Sequence, residues 1–344
     1  MNLRELSEKL GLSQTTVSRA LNGYSEVSEV TRQRVVSAAK THNYEPAAHA
    51  RSLATGQSKA IGHVIPQSTK HEMTNVVFSD FIAGAGEVYR QNGYDLVMSI
   101  VSDDDEVQAY HTLVRKRNVD GVIVHGPTRC DPRIDLLRNL QVPFVVHGRS
   151  SEICSRYSWL DVNNKRAIER ATTFLVDLGH RRIALINGLE RMDFAWRRRA
   201  GYLAALEAHG IGVDRALMRS AEMTEPHGYN SARQMLSASD PPTAFIASSI
   251  VVAMGIRRAL EERDLKMGRD ISVICFDDMI SYFPNGDGEP IFTATRSSVR
   301  AAGRRCGEML IAAIEAPGSP ATQELWEAEL VLGQSTGPAI KASS

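Results

Sequence analysis

Short amphipathic segments fill the first 45 residues of the chain and predict helices. Apolar residues recur three or four positions apart in the first segment, at Leu3, Leu6 and Leu10. Gly11 ends this pattern, and Ser13 can cap a second helix that follows at once. Two short helices joined by a tight glycine turn predict a helix-turn-helix unit.

The second and third predicted helices are bounded by capping and turn residues. The second covers 14–21 and ends where Asn22 and a glycine follow. Ser28 can cap the third helix, which runs to about residue 41. We expect Val30 and Val35 to lie on its apolar stripe, together with two alanines.

From Ile61 onward, short apolar runs alternate with amphipathic stretches of 12–17 residues. Strand–helix alternation with nearly all-apolar strands indicates parallel sheets that are covered on both faces. About ten such strands exceed what one doubly wound domain usually holds, so we predict two similar α/β lobes with a cleft between them. The predicted strands are 60–66, 95–100, 121–125, 143–147, 157–162, 182–187, 216–221, 243–247 and 271–276.

The change of pattern divides the chain into a head, a linker and a core. Pro46 disfavours continuation of the third helix, and the helix-competent run 47–53 is barely two turns long. Isolated helices of that length are marginal in water, so we expect a hinge helix that forms against a partner. A final helix, 299–314, precedes one short segment, 325–330, and a polar tail. The predicted units are a head (1–45), a hinge (46–58) and a core (59–344), with lobe 1 at about 60–160 plus 293–322 and lobe 2 at about 161–292 plus 323–340.

The composition is that of an ordinary globular protein. The chain has 344 residues, 43% of them hydrophobic and 23% charged. No run approaches the roughly 18 apolar residues of a membrane span, and Met1–Glu5 does not resemble the start of a signal peptide. The four cysteines are far apart and form no CxxC pair, so we expect neither metal nor disulfide, and a reducing, cytoplasmic location.

The net charge of zero hides a local excess. Residues 1–59 hold eight basic and five acidic side chains, which gives +3, and the remaining 285 residues hold 32 basic and 35 acidic ones, which gives −3. A neutral chain argues against a polyanionic partner only if its charge is evenly spread. The basic excess of residues 1–59 remains compatible with nucleic acid.

The second predicted helix carries the strongest chemical signal. Polar side chains project outward from its first turns, where a recognition helix meets the base edges of DNA. Short hydroxyl and amide groups near helix starts suit phosphate oxygens. The alternative is a solvent-exposed polar helix. The outward side chains are Gln14, Thr15, Ser18 and Arg19, and the candidates for the phosphate backbone include Ser13, Thr16 and Asn22.

These residues resemble the DNA-binding head of the lactose/galactose-repressor (LacI/GalR) family of bacterial transcription regulators. The similarity rests on "TVSRALNG" at 16–23, "VS..TR..V" at 27–35, "NY.P" at 43–46 and "AR.L" at 50–53. It extends over the core through "GHRRIA" at 179–184, "R..GY" at 198–202, "DISVICFDD" at 270–278 and "FTATRSSVRAAG" at 292–303.

The resemblance implies roles for residues of the head and hinge. Gln14, Thr15 and Arg19 match base-reading positions, and Leu53 matches a hinge leucine that is wedged into the minor groove. For Leu53, packing against the core in the free protein is the alternative. Ala47 stands where the family commonly has asparagine. Positions that match the family near the DNA are Ser13, Thr16, Ser18, Asn22, Ser28, Thr31 and Ala50.

The resemblance also implies a small-molecule effector between two lobes of the periplasmic sugar-binding fold. Arg198 and Asp277 match an effector-binding arginine and carboxylate, which can fork onto vicinal hydroxyls of a sugar. For the other candidates, a packing or loop role is as good an interpretation. Those candidates are Phe78, Asp80, His125, Arg149, Trp196, Met223 and Ser249.

Enzyme motifs are weak. The string GQSTG at 333–337 matches GxSxG but lies in a polar tail with no helix behind it. Asp277 and Asp278 are adjacent on a strand end and point apart, so they do not make an acid/base pair. We therefore expect no catalytic residue. A solute receptor of the periplasmic type and a sugar-acting enzyme are the alternatives to a regulator.

The resemblance implies a homodimer on a palindromic operator, regulated by a sugar. Phe81, Val88 and Tyr89 are the candidates for the dimer surface, and the intramolecular core is their alternative place. Within this resemblance, the strings at 65–67, 79–87 and 147–149 imply that the sugar is an α-glucoside such as maltose or sucrose.

Overall fold

The computed structural model describes residues 1–44, 57–66, 76–276, 279–286 and 288–340. The predicted hinge therefore lies almost entirely outside the described residues. The helices are α1 (Leu3–Leu10), α2 (Gln14–Leu21), α3 (Glu29–Thr41), α4 (Val76–Gln91), α5 (Glu106–Arg115), α6 (Pro132–Asn139), α7 (Asn164–Asp177), α8 (Asp193–Ala208), α9 (Glu225–Leu236), α10 (Ile250–Glu261) and α11 (Val299–Glu315). The strands are β1 (Ala60–Pro66), β2 (Asp95–Val101), β3 (Gly121–His125), β4 (Phe144–His147), β5 (Ser158–Val162), β6 (Ile183–Asn187), β7 (Met218–Ser220), β8 (Ala244–Ala247), β9 (Ser272–Phe276), β10 (Met279–Ile280), β11 (Phe283–Pro284), β12 (Thr293–Arg296), β13 (Gln323–Trp326) and β14 (Glu329–Val331).

The three helices of the head pack around a small apolar core, as the spacing predicts. Gly11 adopts a left-handed backbone with φ of 64°, which ends α1 and turns the chain into α2. The prediction for Val30 is wrong, because this side chain is 81% exposed whereas Val35 is fully buried. Five positions on a helix differ by about 140° around the axis, so Val30 and Val35 cannot share a face.

The core contains two six-stranded sheets with the same strand order. The first sheet runs β13-β5-β4-β3-β1-β2, and the second runs β14-β12-β9-β8-β6-β7. Within these two sheets all neighbouring strands are parallel except β14, which is antiparallel to β12. β10 and β11 form a separate antiparallel pair. Parallel strands joined through helices place helices on both faces of each sheet and leave the carboxyl ends of the strands free to face a ligand.

Glycines allow unusually close packing between pairs of helices in both lobes. A Cβ atom on Gly84 of α4 would lie 2.0 Å from the carbonyl oxygen of Arg300 on α11, and one on Gly303 of α11 would lie 2.1 Å from that of Phe81. Gly201 holds α8 against α7 in the same way. Only glycine permits these backbones to approach so closely.

The predicted lobe boundaries need two corrections. β12 pairs with β9 and so belongs to the second sheet, although the prediction placed residues from 293 onward in lobe 1. β13 pairs with β5 and belongs to the first sheet, although the prediction placed residues from 323 onward in lobe 2. The single apolar segment at 325–330 is in fact the end of β13 and the start of β14, which lie in different sheets. The sheets therefore exchange chain segments after β5, after β12 and after β13, while the three-unit division itself stays a prediction.

The predicted polar tail is packed onto the second lobe. Ser335 is fully buried, and its hydroxyl donates to the carbonyl oxygen of Val273 and accepts a hydrogen bond from the backbone N–H of Thr293 at 2.9 Å. His180 lies beside this segment and contacts Thr243, Ser272 and the carbonyl of Gly337 through its ring nitrogens. Side-chain hydrogen bonds to backbone groups thus replace a regular strand, which hydrophobic periodicity does not reveal.

The three residues that were predicted for a dimer surface lie inside the chain. Phe81 is 1% exposed, Tyr89 is 2% exposed and Val88 is 5% exposed. They face the core side of α4 and pack with the first sheet and α11, so the intramolecular alternative holds for them.

Candidate functional site

A shallow concave surface of the head lies on α2. Gln14, Thr15, Ser18 and Arg19 lie side by side because one turn separates the first pair from the second. Leu3 of α1 and Tyr24 complete the rim. These last two residues come from neighbouring segments, so the pattern of α2 alone does not reveal that they lie here.

Five polar residues around this surface are helix caps or contact caps. Ser13 accepts a hydrogen bond from the backbone N–H of Thr16 at 3.0 Å, and Ser28 accepts one from Thr31 at 3.3 Å. Asn22 donates to the carbonyl of Ser18 at the other end of α2. These bonds fix the helix ends, and the cap hydroxyls of Ser13 and Ser28 remain exposed. Of the remaining candidates, Ala50, Leu53 and Asp277 lie outside the described residues.

A cavity of about 390 Å³ lies between the carboxyl ends of the two sheets. Its walls come from both lobes and from the segment that joins β12 to α11. The volume is in the range of small-molecule sites. Five of the predicted effector residues line it: Phe78, His125, Arg149, Arg198 and Met223.

Arg198 is the most constrained cation of the cavity. It is 5% exposed, and its guanidinium donates to the side-chain oxygen of Asn164 at 2.8 Å and to the carbonyl of Ser248 at 2.7 Å. The guanidinium also lies 3.6 Å from the centroid of the Phe276 ring. A planar cation that is held by hydrogen bonds and a ring face keeps a fixed orientation at the cavity wall.

A second charged group lies where the lobes meet. Arg149 donates to the carboxylate of Asp161 at 3.0 Å, and Arg197 lies 3.8 Å from the same carboxylate. Burial raises the pKa of Asp161 to about 6, although the two arginines act in the opposite direction. Asp161 lines the cavity but was not predicted, even though it stands near the end of β5 where parallel sheets place ligand contacts.

An aromatic and imidazole wall faces the cavity from lobe 1. The rings of Phe78 and Phe81 meet His125 edge-on at 5.0 Å, and His147 stacks on Phe81 at 4.3 Å. His125 and His147 end the neighbouring strands β3 and β4. Phe81 and His147 were missed as site residues, and the strand-end position of His147 was the signal that could have found it.

Three predicted effector residues lie away from the cavity lining. Asp80 is buried beside Arg300 of α11, at 3.8 Å. Trp196 is 37% exposed and lies against the guanidinium of Arg129. Ser249 accepts a hydrogen bond from the backbone N–H of Val252 and caps α10. Asp80 and Trp196 are each two positions from a lining residue of their helix, and two positions differ by about 200° around the axis.

The lobes also contact each other directly beside the cavity. The backbone N–H of Ser151 in lobe 1 donates to the carboxylate of Asp193 at the start of α8, at 3.1 Å. The backbone N–H of Asp193 donates in turn to the carbonyl of Pro127, at 2.9 Å. Thr128 and Met192 form an isolated antiparallel bridge. These contacts hold the cavity closed along one side.

A helix-turn-helix head joined to a two-lobed core with an interlobe cavity defines a DNA-binding transcription regulator. Comparison with known proteins gives the family: residues 2–47 match the model for bacterial regulatory proteins of the lacI family, and residues 172–336 match that for a periplasmic binding protein-like domain. The HTH-type transcriptional regulator AglR of Rhizobium meliloti (strain 1021) is 43% identical over 98% of this chain and 95% of its own length. The chain belongs to the lacI family.

Solved structures agree in fold. The lac repressor dimer bound to operator and the anti-inducer ONPF is 26% identical and superposes with a TM-score of 0.82 over 98% of this chain and 99% of that one. A complex of the transcriptional regulator CelR with cellobiose is 24% identical and has a TM-score of 0.71 over 97% of this chain and 99% of that one. Among the residues the structure describes, no helix is both long and apolar enough to cross a membrane.

Proposed function

We propose that this regulator represses a carbohydrate uptake or catabolism operon from the cytoplasm, and that a sugar in the interlobe cavity changes its affinity for operator DNA. The observation that carries the proposal is the buried Arg198, which is fixed against Phe276 at a cavity with walls from both lobes. A ligand that binds there contacts both lobes at once. Its binding energy therefore depends on how the lobes are placed relative to each other.

The chemistry of the cavity suits a sugar. Aromatic rings such as Phe78 and Phe194 can cover the apolar faces of a pyranose, and Arg198, Arg149 and Asn164 can bind its hydroxyls. A relative in fold carries cellobiose, so the fold accommodates a disaccharide. We propose an α-glucoside such as maltose or sucrose as the effector.

The DNA partner is a palindromic operator that two heads read together. One α2 helix covers about half a site, and a two-fold dimer places two such helices about one helical turn of DNA apart or more. We assign base contacts to Gln14, Thr15 and Arg19, which share the concave surface of the head. The lac repressor, a relative in sequence and fold, is a dimer on its operator.

Coupling between the two sites follows from the lobes. When a sugar shifts their relative position, it changes the spacing of the heads that are attached to lobe 1. Such coupling is typically worth about 1–3 kcal/mol, and it is reciprocal, so operator DNA changes sugar affinity by the same factor. We assign no catalytic step to the cavity.

Thermal denaturation of the full-length protein with glucose, maltose, sucrose and cellobiose tests the effector site. We expect at least one α-glucoside to raise Tm, because a ligand that binds the folded state stabilises it. Arg198→Lys keeps the charge but loses the planar fork, and should abolish the shift. Arg199→Lys is the matched control, because Arg199 makes a half-exposed ion pair with Glu190 and does not line the cavity.

A sugar-induced Tm shift that survives in Arg198→Lys at wild-type size would contradict the assignment of Arg198. The same mixtures are analysed by chromatography. Detection of hydrolysed sugar would favour the alternative that the protein is a sugar-acting enzyme.

A further inference from the structure

A chain of hydrogen bonds runs from the interior of lobe 1 to the cavity. The Tyr89 hydroxyl lies 3.0 Å from Nε2 of His63, and Nδ1 of His63 lies 2.8 Å from Nε2 of His125. Tyr89 is on α4, His63 is on β1 and His125 ends β3, so the chain joins three elements. Tyr89 and His63 are fully or nearly fully buried and do not line the cavity, whereas His125 does.

The imidazoles of His63 and His125 in this chain of hydrogen bonds are neutral at physiological pH. Burial lowers the pKa of His63 to about 3 and lowers that of His125 well below its ordinary value. The groups that face His125 from neighbouring elements are His63, His147 on β4, and Arg133 on α6, and each of them further disfavours its charged form. Each ring therefore has one nitrogen that donates and one that accepts.

The phenol at the inner end fixes the direction of the chain. If His63 donated to Tyr89, the Tyr89 O–H would be a buried donor with no acceptor among the described residues. An unpaired buried donor costs about 1–3 kcal/mol, so Tyr89 donates to Nε2 of His63 instead. His63 then carries its proton on Nδ1 and donates to Nε2 of His125. His125 in turn must carry its proton on Nδ1.

The second ring nitrogen of His125 makes no hydrogen bond to any described residue, and the residue lies at the cavity wall. We propose that Tyr89 and His63 are positioning residues that hold His125 as the Nδ1–H tautomer, so that lobe 1 offers the effector a hydrogen-bond donor at this point. The ligand must then place an acceptor there, such as a hydroxyl or glycosidic oxygen. The part of this inference that concerns the ligand rests on the proposed sugar site, and the tautomer does not.

Neutron diffraction from crystals of the perdeuterated, ligand-free protein tests the tautomer directly. We expect deuterium on Nδ1 of both His63 and His125, and on the Tyr89 oxygen directed at His63. Deuterium on Nε2 of His125 would overturn the proposal whether or not the protein binds sugars.

Tyr89→Phe tests the functional consequence, with Tyr94→Phe as the matched control. Both tyrosines are buried in lobe 1, but the Tyr94 hydroxyl has no hydrogen-bond partner among the described residues. Without the Tyr89 hydroxyl, no donor fixes which nitrogen of His63 carries the proton. The neutron map should then show His125 as a mixture of both tautomers. Affinity for maltose, or for the panel sugar that stabilises the wild type, should fall roughly fivefold in calorimetric titration, while Tyr94→Phe stays at wild-type affinity.

Equal sugar affinity in Tyr89→Phe and Tyr94→Phe would overturn the positioning role. If no panel sugar binds the wild type, the effector proposal fails and the neutron map alone decides the tautomer.

Discussion

Two arginines show how the surroundings of a side chain decide its use. Arg198 is buried and donates to fixed oxygens of Asn164 and Ser248, so its orientation is set before a ligand arrives. Arg19 is exposed on the concave surface of the head, and its guanidinium makes no hydrogen bond or ion pair with any described residue. A buried, oriented guanidinium such as that of Arg198 suits a ligand pocket. An exposed one such as that of Arg19 suits the edge of a guanine in the major groove.

Replacement of Arg19 with alanine should reduce operator affinity and sequence selectivity. A bidentate contact to a base is worth about 1–3 kcal/mol of discrimination. The measurement is fluorescence anisotropy with a duplex selected from random sequences by the wild type, and with a scrambled duplex.

Arg4→Ala provides the control for charge. Arg4 lies on α1 in an exposed i,i+4 pair with Glu8 and does not line the concave surface. If both variants weakened operator and scrambled DNA equally, Arg19 would act only as a positive charge.

The buried imidazoles should make the core sensitive to acid. Burial lowers the pKa of His147 to about 4 and that of His63 to about 3, whereas an unfolded histidine titrates near 6.5. Between these values the unfolded state binds more protons, so stability is present above pH 6.5 and falls as pH drops towards 4. A lowering of the His147 pKa from near 6.5 to about 4 corresponds to a loss of about 3 kcal/mol by pH 4.

Urea denaturation from pH 7 to pH 4 measures this loss. His147→Gln removes one buried imidazole and should reduce the pH dependence of the free energy of unfolding. His111→Gln on α5 removes a histidine that does not contact His63, His125 or His147, and should leave this pH dependence unchanged. An unchanged slope in His147→Gln would refute the linkage.

The sequence predicted that residues at strand ends line the cavity, but it did not predict which residues of α4 face it. His125 and Arg149 follow apolar runs, and the carboxyl ends of parallel strands meet at one edge of a sheet. On α4, Phe78 and Phe81 share a face, and Asp80 between them turns towards α11. The direction in which a helix presents its residues depends on its packing, which one sequence does not reveal.

Elements were predicted well where local chemistry bounds them. Ser13 and Ser28 cap the helices that they were expected to cap, and Gly11 adopts the left-handed turn. The segment after residue 322 was predicted less well as a single element. It contains two strands that are separated by two residues and belong to different sheets. Sheet assignment is a long-range property, and periodicity within a strand does not encode it.

The close packing of α4 against α11 depends on Gly84. Gly84→Ala should lower the free energy of unfolding by about 1–3 kcal/mol or more, because the new methyl group collides with the backbone of Arg300. Gly86→Ala on the same helix has open space around its Cβ position and should be neutral or stabilising by up to about 1 kcal/mol.

Urea denaturation of both variants at pH 7 gives the comparison. Equal stability of Gly84→Ala and Gly86→Ala would show that the helix pair adjusts freely and that the glycine is not required.

The whole molecule combines a basic N-terminal region with a slightly acidic core. Residues 1–59, which span the head and the predicted hinge, carry +3 and the remainder −3, so a neutral chain still offers DNA a local excess of positive charge. The lobes share one strand order and exchange chain segments three times, which lets a ligand between the sheets act on their relative position. Residues of both lobes line the cavity, and lobe 1 follows the head along the chain.

In the proposed function, a sugar between the lobes controls DNA binding by the head. The most direct measurement is the operator Kd of the full-length protein by fluorescence anisotropy, without sugar and with a saturating amount of the sugar that raises its Tm. We predict a change of roughly 5- to 150-fold, matched by an equal change of sugar affinity when operator is present, and absent in Arg198→Lys. An operator Kd that stays the same while the sugar site is full would contradict the account.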